Sequence, residues 1–143
     1  KISSMKKKKY FVNVNVKKIS DKRGFILPLV DLKAKSVSLI KSKIGAIRAN
    51  HYHKTDWHYI HVLKGAFIYF YKNKNEKKTH HALVKRGDTI YTPPLLWHAT
   101  YHHKVTEMLV ISRNFRDRKT YEKDTVRVNF VKKIDVKKIL KKF

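Results

Sequence analysis

The sequence predicts an all-β fold, a barrel or sandwich of short strands with one short helix at its end. Short runs of apolar and β-branched residues recur along most of the chain, and turn residues separate them at regular intervals. Many short strands joined by turns are typical of β-sandwiches and β-barrels. A chain of 143 residues is long enough for one such domain with a sizeable core.

The predicted strands follow one another from the N-terminal side. Residues 10–16 alternate apolar and polar side chains, which is the period-two signal of a strand. The segment Asp21-Lys22-Arg23-Gly24 predicts a turn before a second strand at 25–30. Further strands are expected at 37–43, 47–54, 59–64, 66–71, 80–84, 89–92, 98–102 and 106–112.

The C-terminal segment changes period. Residues 126–130 still alternate like a strand, and Asp135 then predicts the cap of a short helix. One face of that helix carries four apolar residues, Val136, Ile139, Leu140 and Phe143. We expect this face to pack on the barrel wall or on a second subunit, and the alternative is a basic amphipathic helix on an anionic membrane. The predicted organisation is therefore a basic segment at 1–9, a barrel domain at 10–130 and a basic tail or helix at 131–143.

The net charge of +25 raises the question of a polyanionic partner. Most of the basic residues are lysines spread over the whole chain, whereas nucleic-acid binders usually cluster theirs and favour arginine. We therefore expect no dedicated nucleic-acid role, although the charge should speed the capture of a phosphate-bearing substrate.

The cysteine count and the hydropathy pattern bound the class further. Without cysteine, any metal must be held by nitrogen and oxygen ligands. No apolar run reaches the roughly 20 residues that span a bilayer, and residues 1–9 lack the apolar stretch of a signal peptide. The expectation is a cytoplasmic protein without a membrane span.

The most informative pattern is a set of four histidines. His51 and His53 alternate on a predicted strand, so both rings lie on one face. His58 follows from the same hairpin, and His98 comes from a distant strand after Pro93-Pro94. Side chains placed in this way could surround one small cation.

The spacing of these residues resembles the two motifs of the cupin superfamily. The first motif is matched by Gly45, His51, His53 and Gly65, with His58 where the family has glutamate. The second is matched by Gly87, Pro93 and His98, with Leu95 in place of glycine and His102 in place of asparagine.

The resemblance implies a cupin double-stranded β-helix, that is, a jelly-roll barrel, with the motif residues converging inside it. Position by position, it implies that His51, His53, His58 and His98 bind a metal. An all-imidazole shell suits a divalent transition metal such as Zn, Fe, Ni or Cu better than Mg or Ca. Two alternatives stay open: His58 orients a ligand instead of binding, or the histidines act as acid and base without a metal.

A narrower resemblance is to the nucleotide-sugar cupins, the 3,5-epimerases and 3,4-ketoisomerases of 4-keto-6-deoxy sugars. It is carried by Asp21-Lys22-Arg23-Gly24, by Arg48-x-x-His51 and by Tyr91-Thr92-Pro93-Pro94. It implies that Arg23 and Arg48 clamp a diphosphate, and the alternative for each is a structural salt bridge. The strand before the histidine pair lacks the tyrosine of the ketoisomerases, so the catalytic residues stay unassigned.

The leading expectation is a metal-binding cupin that isomerises or epimerises a nucleotide-linked or related sugar by proton transfer beside a carbonyl. One alternative is an Fe-dependent dioxygenase with a three-histidine shell, and the other is a non-catalytic cupin that binds a sugar or effector. The resemblance also implies a homodimer.

Overall fold

The structure, a computed structural model, describes residues 17–142. The predicted strand at 10–16, the basic segment at 1–9 and Phe143 lie outside these described residues. The strands are β1 (Ile19–Asp21), β2 (Gly24–Ile26), β3 (Ser36–Ser42), β4 (Ile47–His53), β5 (His58–Lys64), β6 (Ala66–Lys72), β7 (His80–Lys85), β8 (Thr89–Thr92), β9 (Trp97–Tyr101), β10 (Thr106–Ser112) and β11 (Thr125–Arg127). The helices are α1 (Arg118–Asp124) and α2 (Lys133–Leu140).

Two antiparallel sheets form the barrel. One has the order β3-β10-β5-β8 and the other β11-β4-β9-β6-β7. Apart from the β6–β7 hairpin, successive strands from β3 to β11 belong to opposite sheets, so the chain crosses the barrel at nearly every connection. This confirms the predicted double-sheet β-barrel with a short C-terminal helix.

The crossing from β5 to β6 depends on one glycine. Gly65 has φ +81°, and a Cβ atom placed on it would collide with the carbonyl oxygen of Val105. The turn therefore requires both the left-handed backbone that glycine tolerates and the close approach that it permits.

Strand β6 is buried on both faces, which explains why its sequence shows no polar alternation. Phe67 and Tyr69 enter the interior cluster between the sheets. Ile68 and Phe70 point the opposite way and pack with Val136 of α2. The interior set of β6 is thus Phe67 and Tyr69.

Helix α2 covers the outer face of the five-stranded sheet. Val136 is buried, and Ile139 and Leu140 pack beside it, as the predicted apolar face requires. The prediction for Asp135 was wrong by one turn: the N-cap is Lys132, and Asp135 at the third helical position accepts a hydrogen bond from the Lys132 amide at 3.0 Å. Within the described residues, no helix has the length and apolar character needed to cross a membrane.

Two other local predictions differ from the structure. The strand expected at 126–130 is shorter, because β11 ends at Arg127. The strand expected at 25–30 is β2, which ends at Ile26 and, among the described strands, pairs only with β1. Phe25 and Ile26 of this hairpin are largely exposed. Val37 and Leu39 on the outer face of β3 are exposed as well. The predicted homodimer is not tested by these observations and stays a prediction.

Leu95 occupies the left-handed region of the backbone, with φ +70°. It stands where the cupin motif has glycine, and its amide donates to the His53 carbonyl at 2.7 Å. The side chain is 61% exposed, so little packing offsets the backbone cost. A left-handed conformation costs a non-glycine residue about 1–2 kcal/mol.

We predict that Leu95→Gly raises the free energy of unfolding by about 0.5–1 kcal/mol, since the backbone strain disappears and the greater freedom of unfolded glycine cancels only part of the gain. Urea unfolding measures the change. Leu95→Ala is the matched control, because it removes the side chain but keeps the Cβ atom. If alanine stabilises the protein as much as glycine, strain at this position is not the cause.

Candidate functional site

A bulge in β4 sets the direction of the histidine pair. Ala49 and Asn50 have φ 64° and 61°, and the pairing with β9 shifts register between Ala49 and His51. The Asn50 side chain stabilises this backbone by donating to the Val131 carbonyl at 2.9 Å and accepting from the Val131 amide at 3.1 Å. Bulges of this kind redirect the side chains that follow them.

Three of the four predicted histidines come together inside the barrel. His51, His53 and His98 are buried, and one ring nitrogen of each lies within 4.8 Å of the others. The ring centroid of His51 lies 4.6 Å from the centroid of His53 and 4.8 Å from that of His98. Three rings from two strands thus converge on one point.

The hydrogen bonds of these rings leave nitrogen lone pairs free. His98 Nδ1 donates to the Leu96 carbonyl at 2.9 Å, which leaves Nε2 with the lone pair. Thr125 Oγ1 donates to a backbone carbonyl at 2.6 Å, so it accepts from His53 Nδ1 at 3.2 Å. Nε2 of His53 and Nδ1 of His51 are buried and have no hydrogen-bond partner in the described part of the chain. Buried imidazole nitrogens with free lone pairs are suited to binding a metal ion.

His58 lies beside this group but outside it. Its ring centroid is 4.6 Å from that of His53, whereas its Nε2 lies 2.9 Å from Asp56 Oδ2. The structure therefore separates the four predicted ligands into a group of three and a histidine–aspartate pair. Sequence spacing alone could not separate them, because His58 occupies the position of the family's glutamate.

Two carboxylates that the sequence analysis did not single out support the site. Asp56 Oδ1 accepts from the Asn114 amide at 2.9 Å. Asp124, at the end of α1, accepts from the amide of Thr55 at 2.8 Å and from that of Asp56 at 3.0 Å. Burial raises the pKa of Asp56, but the hydrogen bond and charge of His58 and two backbone amides outweigh burial and keep that pKa below its usual value.

A cavity of about 100 Å³ opens over the histidines. Its lining residues come from both sheets and from the segment around α1: Ile40, Arg48, Ala49, His51, His58, Ile60, His98, Thr100, Met108, Val110, Arg116 and Tyr121. Arg116 and Tyr121 were not predicted as site residues. The sequence analysis predicted no helix at 118–124, so neither Tyr121 in α1 nor Arg116 just before it was expected near the histidines.

The two arginines predicted to bind a diphosphate lie in different places. Arg48 lines the cavity, where its Nε donates to Ser42 Oγ at 2.6 Å. Arg23 is on the N-terminal hairpin, pairs with Asp21 at 2.7 Å and does not line the cavity. Its side chain is 89% exposed.

His102, which replaces the asparagine of the second motif, is a core residue. It is fully buried between Thr100 Oγ1 at 2.9 Å and Thr106 Oγ1 at 2.6 Å. Burial lowers its pKa to about 4, and the charges of Arg48 and His103 act in the same direction.

Burial keeps the clustered imidazoles neutral. Burial, followed by the neighbouring His98 and His58, lowers the pKa of His51 to about 2. Burial also lowers the pKa of His98 to about 4, against the hydrogen bond to the Leu96 carbonyl. The pKa of His53 falls for the same first reason. Neutral rings with free lone pairs are the form in which histidine binds metals.

The donor set fits a divalent transition metal. Three neutral imidazoles with open space beside them are typical of Zn, Fe, Ni or Cu sites that keep a position for water or substrate. A second grouping, His53 with Asp56 and Asp124, is less suitable, because hydrogen bonds already occupy its carboxylate oxygens.

Comparison with known proteins identifies relatives of this architecture. The family model described as Cupin matches residues 26–143. No curated protein matches the chain. Several solved structures share the fold.

A sugar 3,4-ketoisomerase from Thermoanaerobacterium thermosaccharolyticum in complex with TDP is 21% identical, with a TM-score of 0.67 over 84% of this chain and 88% of that one. A TDP-fucose-3,4-ketoisomerase from Campylobacter jejuni is 17% identical, with a TM-score of 0.67 over 83% and 89%. A dTDP-4-dehydrorhamnose 3,5-epimerase from Sulfolobus tokodaii is 17% identical, with a TM-score of 0.63 over 81% and 75%. At these identities the likeness shows the common fold.

The lowered histidine pKa values predict a loss of stability in acid. In the unfolded chain these histidines bind protons near pH 6.5, whereas in the folded protein His51 and His98 stay neutral to lower pH. Their contribution to the free energy of unfolding is therefore fully present above pH 6.5 and is lost as the pH falls below that value. At pH 5 each residue should cost about 2 kcal/mol of unfolding free energy. Urea unfolding between pH 8 and pH 5 measures this, and His51→Gln should flatten the slope. An unchanged free energy across this range would contradict the prediction.

Proposed function

The chain belongs to the cupin family, and from this membership and the cavity we propose that it is a metal-binding isomerase or epimerase of a nucleotide-linked or related sugar. One observation carries the proposal: three neutral histidines with free lone pairs lie beside a buried histidine–aspartate pair, and members of both groups line one cavity. The first group suits metal binding and the second suits proton transfer, so the two roles need not compete for the same nitrogen atoms.

His58 is the proposed proton acceptor. Because Asp56 is ionised and lies 2.9 Å from Nε2, it favours the tautomer with the proton on Nε2. Nδ1 of His58 then carries the lone pair, and His58 lines the cavity. It can accept the proton of a C–H bond beside a ketone and return it to the other face or to the neighbouring carbon. The Asp56 carboxylate stabilises the imidazolium that forms in between.

His51, His53 and His98 are the proposed metal-binding residues. A divalent ion bound there supplies electrostatic stabilisation for the negative oxygen of an enolate. Hydrogen bonds also favour the tautomers that such binding needs. Nδ1 of His98 is bonded to the Leu96 carbonyl and Nδ1 of His53 to Thr125, so Nε2 of each ring keeps its lone pair for the metal.

The size of the cavity limits how the substrate enters. About 100 Å³ is below the roughly 300–1,000 Å³ of typical sites for drug-sized ligands. We therefore propose that the reacting part of a sugar enters the cavity and that the nucleotide remains outside the mouth. Arg48 lines the cavity and is the proposed contact to a diphosphate. The same role stays a proposal for Arg23, which does not line the cavity.

The first test concerns the metal. We predict that the purified protein binds one divalent transition ion, and that His51→Gln or His98→Gln weakens binding by more than the roughly 10–100-fold that loss of a supporting partner costs. Elemental analysis and metal titration measure this. His80→Gln is the control, because His80 is half-exposed and bonded to Glu76. Equal affinity in all variants would remove the metal from the proposal.

The second test concerns proton transfer. We predict that the protein incorporates solvent deuterium into TDP-4-keto-6-deoxyglucose or a related 4-keto sugar nucleotide, detected by NMR. His58→Gln should slow exchange about 10²–10⁴-fold, and Asp56→Asn should slow it as well by favouring the wrong tautomer of His58.

Failure of the wild type to exchange any such substrate would contradict the isomerase proposal. Oxygen consumption by the Fe(II)-loaded protein would then indicate the dioxygenase, and ligand binding without turnover would indicate the non-catalytic cupin. His80→Gln again serves as the control.

A further inference from the structure

Arg116 differs from the other cationic residue of the cavity wall in having an unsatisfied group. Its Nη1 atom is buried and has no hydrogen-bond partner among residues 17–142. The guanidinium of Arg48, by contrast, donates to Ser42 and to the Lys41 carbonyl. A buried donor without an acceptor is costly, and more so when it carries charge.

The position of Arg116 is set by α1. Its guanidinium carbon lies 4.1 Å from the centroid of the Tyr121 ring, which is a cation–π contact. Tyr121 in turn packs 5.5 Å from His53 and 6.1 Å from His51. The guanidinium therefore lies on an aromatic ring that contacts two members of the three-histidine group, and Arg116 lines the same cavity as His51 and His98.

No described carboxylate neutralises this charge. Asp117 accepts from the first turn of α1, and Glu122 pairs with an arginine of β11. Asp124 accepts hydrogen bonds from the β4–β5 turn, and Asp56 is paired with His58. Each nearby acid is thus committed elsewhere, and the cavity keeps a net positive charge next to neutral histidines.

We infer that Arg116 is the binding position for an anionic oxygen of the ligand, so that the histidine cavity takes a compound bearing a carboxylate or phosphoryl group. The inference concerns recognition and goes beyond the proposed isomerisation. It rests on the cavity and holds whether or not proton transfer occurs there. Guanidinium groups bind such oxyanions with charge-assisted hydrogen bonds.

The cavity volume narrows the ligand class. An oxyanion held by Arg116 lies in the same cavity as the reacting carbon, and at about 100 Å³ this cavity is below the roughly 300–1,000 Å³ of typical sites for drug-sized ligands. The charged group is therefore attached on or next to the reacting part of the ligand. A carboxylated carbonyl compound meets this requirement directly, and a phosphoryl group meets it if it borders the sugar ring.

The experiment uses two small anions and one neutral analogue with the full-length protein. Binding of glycolate, inorganic phosphate and glycolamide is measured by isothermal titration calorimetry in about 150 mM NaCl, which screens weak attraction to surface lysines. The variants are Arg116→Gln and Arg116→Lys. Arg118→Gln is the matched control, because it removes one positive charge two residues away from an exposed position.

We expect the wild type to bind at least one of the two anions and not glycolamide. Arg116→Gln should weaken that binding by about tenfold or more, Arg116→Lys should give an intermediate value, and Arg118→Gln should match the wild type. Preference for glycolate identifies a carboxylated ligand, and preference for phosphate identifies a phosphorylated one. If Arg116→Gln does not fold, Arg116→Lys is compared with the wild type instead, since lysine keeps the positive charge but lacks the paired N–H donors of the guanidinium.

Three results would overturn the inference: no binding of either anion, binding that is equal in the Arg116 and Arg118 variants, or binding of glycolamide as tight as that of the better-bound anion. None of these depends on turnover. Deuterium exchange that persists alongside such a result would leave the isomerase proposal standing and reject the oxyanion position alone.

Discussion

Two carboxylates, the buried Asp56 and the partly buried Asp124, hold the functional cavity together. Asp124 accepts hydrogen bonds from the turn that follows β4, and Asp56 in that turn orients His58 while accepting from the segment after β10. Three separate parts of the chain, the histidine hairpin, the end of β10 and α1, are thereby tied to each other. Because burying a carboxylate is favourable only when donors surround it, these contacts form together or not at all. The position of His53, His58 and Tyr121 follows from this arrangement.

The sequence predicted the barrel and the convergence of His51, His53 and His98, because both follow from strand periodicity and from spacing that the backbone translates directly into position. The division of labour between these residues and His58 could not be predicted. It depends on Asp56, which is two residues away in sequence and becomes a partner only when the turn closes. Arg116 and Tyr121 could not be predicted either, because both depend on α1. This helix is short, has no buried residues and shows no helical periodicity of apolar residues.

The departures from the cupin motifs have distinct physical meanings. Leu95 adopts a left-handed backbone conformation where the motif has glycine, which carries a local energetic cost. His58 exchanges an acidic ligand for an imidazole that pairs with an acid of its own. His102 exchanges a polar motif residue for a core residue bonded to two threonines. The fold therefore persists through changes that alter the charge of its interior.

The bulge at Ala49 and Asn50 links the interior chemistry to the C-terminus. Asn50 is bonded to Val131 through both its amide nitrogen and its carbonyl oxygen, and Val131 begins the segment that leads into α2. The segment that leads into α2 thus stabilises the bulge in the strand that presents His51. Removing or displacing α2 would weaken these contacts and change the orientation of the His51 ring, although no described residue of the helix lines the cavity.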